Sequence, residues 1–234
     1  MAKMVAGLAM AASLTTLVLA GSPVIMPYSA AEYNRLPHFN DLPSETPEEA
    51  LSIQPLGSIL KKHGLQDQVG IFLSHRHFDL EEGEKLVARH RAETVHIAPE
   101  QNETGAWPYF YQISQDDLGG VLLRPMEFLD KPSEAFKAKH AAVTSAGFLH
   151  DYVAALKQHQ LLPKFGLFIL HREEVVGNRT LETSSGNRSL QVSGADSHPE
   201  DPDFEERTVM YTVPGLVQAS CGHNRCRHGG CSIL

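Results

Sequence analysis

Two patches of this chain carry side chains able to do chemistry. His75-Arg76-His77 sets two imidazoles one residue apart, and Cys221, His223, Cys226 and His228 crowd the far end. The three cysteines, Cys221, Cys226 and Cys231, are all near that end. Imidazole nitrogen and thiolate sulfur are donors that zinc takes in a tetrahedron of four. Cys221 and Cys226 stand within the short spacing such sites use. Residues i and i+2 of a strand share a face, so a strand through His75 and His77 would present both rings together, with Arg76 opposite. His75 and His77 with Cys221 and Cys226 would close a Cys2His2 structural site. The same arm with a single tail ligand, His228 among the choices, would keep a position for water, as catalytic zinc does. Iron is the alternative metal. Asp79 and Glu81 follow closely enough to orient the ligands or act as a base. The plainer reading of these residues is two half-exposed imidazoles at a strand end and a loose Cys/His tail.

The element that must position His75 is written twice. Leu60 to Arg76, LKKHGLQDQVGIFLSHR, reappears without a gap 96 positions later as Leu156 to Arg172, LKQHQLLPKFGLFILHR. The identities include Lys61/Lys157, His63/His159, Gly70/Gly166, Phe72/Phe168, His75/His171 and Arg76/Arg172. Each copy reads as a helix end, a turn and a short apolar strand of the kind buried on both faces. Gly64 after His63 fits a left-handed C-cap. The second copy, with Gln160 there and Pro163 following, is expected to stop differently. Helix-turn-strand units can look alike by convergence, but shared Lys, His and Arg favour duplication and two halves about a pseudo-two-fold axis. The second copy ends in Glu173 where the first has His77. His63, His159 and His171 read as structural, at helix or strand ends.

Around these units the chain alternates short helices and strands. Thr46 or Ser44 before Pro47-Glu48-Glu49 starts a helix, and a second helical piece covers residues 55–63. Residues 85–90 and 93–97 read as a hairpin-like pair. Residues 107–113 and 121–129 read as strands, with Pro125 marking an edge or an end. Pro132 to Gln160 holds the longest helical pattern. Residues 180–192 alternate about Ser185-Gly186-Asn187 as a hairpin, and Thr208 to Val213 is the last expected strand. Several connections are too short for crossovers. The expected fold class is therefore α+β, with a mixed or largely antiparallel sheet and helices on one side. The domain organisation is a leader at 1–25, one α+β domain at 26–218 and a Cys/His-rich tail at 219–234.

Composition narrows the partners. An apolar share of 42% and a charged share of 21% are ordinary for a globular chain of 234 residues. The formal net charge of −8 argues against nucleic acid, and the cysteine pattern argues against a disulfide scaffold. No dinucleotide or phosphate-binding glycine motif, G-x-S-x-G elbow or H-E-x-x-H stands in the chain.

The two ends carry conflicting addresses. Residues 1–20 have the short positive start and apolar run of a secretory signal peptide, and Asn102, Asn178 and Asn187 are N-glycosylation sequons. A disordered leader, or an extension upstream of a start at Met26, reads equally well. Cys231-Ser232-Ile233-Leu234 has the pattern of a prenylation site on Cys231, which would work on a cytosolic tail and needs a second signal for stable anchoring. Coincidence also accounts for a four-residue motif. Secreted and cytosolic (membrane-tethered) localisations thus stand as alternatives.

Three stretches carry a resemblance: LPHFNDLP at Leu36–Pro43, HGLQDQVGIFLSHRHFDL at His63–Leu80, and the tail from Cys221 to His228. Together, over roughly Leu36 to His228, the chain resembles a family of uncharacterised small proteins of filamentous fungi. That family's H-x-H-F and C-x(4)-C-x-H patterns fall here on His75, His77 and Phe78 and on Cys221, Cys226 and His228. The leader and the CSIL ending depart from its pattern. The resemblance implies an accessory role in secondary metabolism, on a small natural product. Two function classes follow as expectations. One is a zinc-binding (alternatively iron-binding) accessory protein or enzyme with a small-molecule ligand. The other is a non-enzymatic interaction module tethered to a membrane through its tail.

Overall fold

A computed structural model describes residues 22–44, 46–89, 94–100, 105–171, 180–185, 188–193, 204–213 and 217–224. In chain order the elements are β1 (Val24–Ile25), α1 (Ala30–Tyr33), α2 (Pro47–Ser52), α3 (Gln54–Lys62), β2 (Val69–Leu73), β3 (Glu84–Ala88), β4 (Thr94–Pro99), β5 (Trp107–Gln115) and β6 (Val121–Leu129). They continue with α4 (Glu134–Val143), α5 (Ala146–Gln158), β7 (Phe165–Ile169), β8 (Thr180–Ser185), β9 (Arg188–Ser193), β10 (Phe204–Thr212) and β11 (Val217–Asn224). A 3-10 turn covers Phe39–Asp41.

The described strands join in one sheet, ordered β11-β10-β2-β7-β5-β6-β3-β4-β9-β8, with β1 beside β6. Among the described pairs, β1–β6 and β3–β6 are parallel and the others antiparallel. The fold is α+β, with a mixed and mostly antiparallel sheet. α5 packs between α3 and α4. Tyr111 of β5 reaches His140 of α4, and its cross-strand partner is Leu167. Tyr111, Leu167 and Ile71 therefore point to the helices, while Phe72, Phe110 and Phe168 point the other way.

Local chemistry explains the helix ends. The Thr46 hydroxyl accepts from Glu49 N to cap α2, with Pro47 in the first turn, and Ser133 does the same for α4 through Phe136 N. The buried Glu49 carboxylate accepts from Lys164 Nζ at 2.8 Å, tying α2 to the start of β7. After α3, Gly64 N bonds Lys61 O at 3.1 Å and Leu65 N bonds Leu60 O at 2.9 Å, a Schellman turn with Gly64 at φ +67°.

α5 ends in the same turn. Gln160 N meets Lys157 O at 3.0 Å and Leu161 N meets Leu156 O at 2.8 Å, with Gln160 at φ +56°. The expected difference between the two stops is thus absent. Burying Leu65 on Leu60, and Leu161 on Leu156, holds the turn even where a side chain pays for a left-handed backbone.

The two copies of the motif meet as β2 and β7. Their antiparallel register pairs Gly70 with Phe168, Ile71 with Leu167 and Phe72 with Gly166, so counterparts pair about the Ile71–Leu167 centre. The bonds beyond the strands match too: Ser74 N to Lys164 O and Leu170 N to Gln68 O, both 2.9 Å. Each glycine faces the other strand's phenylalanine. A Cβ on Gly70 would run into the Phe168 ring, and one on Gly166 into the Phe72 ring and the Tyr111 carbonyl. Phe110 then packs edge-on to Phe72 and stacks on Phe168, with centroids at 4.8 and 5.2 Å.

Other boundaries shift for physical reasons. The long helical pattern is two helices, broken at Thr144–Ser145 where Ser145 starts α5. Pro125 sits inside β6, not at an edge. β1 pairs with Leu122 and Leu123 and β3 pairs from Glu127 onward, so the proline occupies the gap between two neighbours on that side. The last expected strand is longer, as β10, and is followed by β11, which runs past residue 218 into the stretch read as tail. β1 likewise lies within the stretch read as leader.

The glycine–phenylalanine fit makes two mutants informative. Gly70→Ala and Gly166→Ala should each lower the unfolding free energy by about 1–3 kcal/mol in urea titrations, Gly166→Ala more because backbone blocks it. Conversely, Gln160→Gly should raise stability by about 1 kcal/mol by relieving the left-handed residue; an unchanged midpoint would contradict that reading of the turn.

Candidate functional site

β2 ends at Leu73, so His75-Arg76-His77 is not strand and the expected alternation does not apply. A different device sets the two histidines. Arg76 N bonds Pro37 O and Phe39 N bonds Arg76 O, both at 2.9 Å, making a short parallel bridge between His38 and Arg76. His38 accepts from Asn40 N at Nδ1 (3.2 Å), so its Nε2–H donates to the His77 carbonyl at 2.7 Å. Phe39, 4% exposed, packs edge-on to His75 and tilted against His77, with centroids at 5.5 and 6.1 Å. The LPHFNDLP stretch is thus a clamp on the histidine segment.

Within the clamp the His75 and His77 rings lie 4.7 Å apart at 87°. His75 Nδ1–H donates to the Leu73 carbonyl at 2.7 Å, which places the ring's lone pair on Nε2. Both residues are half-buried. Arg76 Nε donates to Asn34 O, and its guanidinium pairs with Asp79 at 2.9 Å. Asp79, 71% exposed, is therefore engaged by Arg76 rather than by an imidazole. Glu81 is exposed, and its backbone N–H is taken by Glu84.

Of the expected thiolate ligands, the described residues include the backbone of Cys221, opposite Arg207 in the β10–β11 pair. β10 in turn pairs with β2 through Met210–Phe72. Following these antiparallel strands, Arg207 lies beyond Met210 in the direction in which His75 lies beyond Phe72. The backbone of Cys221 thereby lies toward the end of the sheet at which the chain leaves β2 for His75. Cys226, His228 and Cys231 lie outside the described residues, as do Asn102, Asn178 and Asn187. Among the described residues, no group of three or more His, Cys, Asp or Glu is placed to hold a metal ion. No helix among them is long and apolar enough to cross a membrane.

The remaining histidines have other settings. His171, the counterpart of His75, packs edge-on to Tyr109 at 5.0 Å, and Tyr109 donates to Glu127 at 2.9 Å. The buried Tyr111 hydroxyl and His140 Nε2 share a hydrogen bond of 2.5 Å. Burial holds the Tyr111 pKa well above, and the His140 pKa below, their ordinary values, so the pair is neutral and pins α4 to the sheet.

His63 bonds Asp151 Oδ2 at 2.8 Å, and Lys62 Nζ reaches the same oxygen at 2.6 Å. These two, Lys62 first, hold the Asp151 carboxyl well below its usual range. The repeat singled out His63, but not its partner across the helices. Compared with known protein families, with curated proteins and with solved structures, the chain matches none.

A carboxyl with a lowered folded-state pKa adds stability that is complete above its unfolded value near 4 and fades as acid protonates it. Asp151→Asn should therefore cost about 0.5–1 kcal/mol at pH 7, a small figure because the pair is partly exposed. The gap to the unsubstituted protein should shrink as pH falls below about 4. A gap independent of pH would show that the carboxylate charge is not what joins α3 to α5.

Proposed function

We propose that the protein binds a transition metal, zinc before iron, through His75 and His77 with Cys221 and Cys226, His228 being the alternative donor from the tail, and acts on or for a small secondary metabolite. The observation that carries this reading is the approach of the His75 and His77 rings at 4.7 Å, with the His75 tautomer set by Leu73 O. A backbone carbonyl on one imidazole nitrogen is the usual partner of a histidine that ligates through the other. The position of Cys221 at the same end of the sheet supports the rest of the set. Two imidazoles are half of a tetrahedron, so the thiolates must supply the remainder.

With all four donors from the chain, the metal would be structural and tie β11 to the end of β2. With three, it would hold a water or a substrate oxygen and act as a Lewis acid. In the same reading, the paired helix-strand units come from an internal duplication. Their divergence after His75-Arg76 and His171-Arg172, to His77 in one and Glu173 in the other, leaves the His-x-His arm in the first unit alone.

Full-length protein purified without a histidine tag should carry about one equivalent of metal by plasma emission analysis, as a single four-donor site requires. His77→Ala and Cys221→Ser should each lose most of it. Metal-free protein, or metal content unchanged in both variants, would contradict the reading.

A further inference from the structure

The relation between the two helix-strand units extends to the helices and exposes a difference between them. α3 and α5 run antiparallel: the end of α3 meets the first half of α5 through Lys62, His63 and Asp151, and the start of α3 meets the end of α5. His63 and His159 occupy equivalent C-caps. Their φ/ψ values are −95°/3° and −100°/8°, and each N–H bonds the carbonyl four residues back at 3.1 Å. Both rings hang from the same place on the same turn.

What they meet is not the same. At one junction the Asp151 carboxylate accepts from both His63 and Lys62. At the other, the counterpart of Asp151 is Pro55 and the counterpart of Lys62 is Gln158. Among the described residues, no carboxylate lines that junction. In its place is an open groove of about 530 Å³, lined by Leu51, Pro55, Ile59 and Ala155 together with the polar Gln54, Ser58, Gln158 and His159. Leu51, 61% exposed, is among the few large apolar side chains left in solvent among the described residues.

We infer that this groove binds a small organic carboxylate, its oxygen taking beside His159 the place that the Asp151 carboxylate holds beside His63. The His159 imidazole and the Gln158 amide donate to the carboxylate, as His63 and Lys62 do to Asp151. A short aliphatic part lies on Leu51, Pro55 and Ile59, where removal from water adds to binding. The inference is independent of the metal reading, since it uses neither β2's end nor β11.

Octanoate, titrated into the full chain and followed by amide NMR, tests it, with octanamide as the uncharged control. Saturable shifts are expected at Ser58, Ile59, Gln158 and His159, and octanamide should bind about tenfold more weakly, the usual worth of a charged acceptor. His159→Phe should weaken octanoate to the level of octanamide. Pro55→Asp supplies the missing carboxylate from the chain itself, at a helix start where an acid is welcome; it should keep the fold and abolish octanoate binding. Absence of saturable binding would overturn the inference, and so would equal binding of the two probes. Octanoate affinity unchanged in Pro55→Asp would do the same, even if His159→Phe failed to fold.

Discussion

Two glycines set the spacing of everything else. In the β2–β7 pair, Gly70 lies opposite Phe168 and Gly166 opposite Phe72, and neither position has room for a Cβ. Each phenylalanine fills the space left by the facing glycine, and Phe110 closes over both rings. Interiors at this density tolerate little change of volume, so the fit fixes the register of the central pair to the residue. The same register brings the turns after α3 and α5 into matching positions, and it carries the chain out of β2 at Leu73 toward His75.

Beyond Leu73 the chain has left the ladder, and a second constraint takes over. The Pro37–Phe39 segment adds a bridge to Arg76, while His38 holds the His77 carbonyl and Phe39 fills the space under both rings. Half-buried imidazoles clamped at a backbone this way have lost much of their rotamer freedom already in the folded chain. The helices show the complementary case. One inter-helix junction satisfies its imidazole with Asp151, and the equivalent junction, with Pro55, leaves an open groove beside His159. Similar backbones thus hold a closed charge pair at one junction and a recess at the other.

Much of this frame was legible because it is local. Thr46 before Pro47 at the start of α2, and Gly64 after His63 at the end of α3, are each explained by a few neighbouring atoms. What was hidden depends on distant partners. Gln160 adopts a glycine-like φ because buried leucines on either side hold its turn. Pro125 survives inside β6 because β1 and β3 leave a gap at its level. His75 and His77 sit outside the strand because residues 37–39, far back in the chain, capture Arg76. His38 was missed as a support, although it stands in one of the stretches that carry the resemblance. The Asp151–Pro55 contrast could have been found by continuing the repeat alignment backward from Leu60 and Leu156.

The chief claim concerning function is that the imidazoles at the end of β2 and the thiolates from β11 onward share one metal. X-ray absorption at the metal edge of the loaded full-length chain tests it most directly. The account predicts a mixed shell, imidazole nitrogen at about 2.0 Å together with thiolate sulfur at about 2.3 Å. A shell of nitrogen and oxygen alone, without sulfur, would contradict it and separate His75 and His77 from the cysteines.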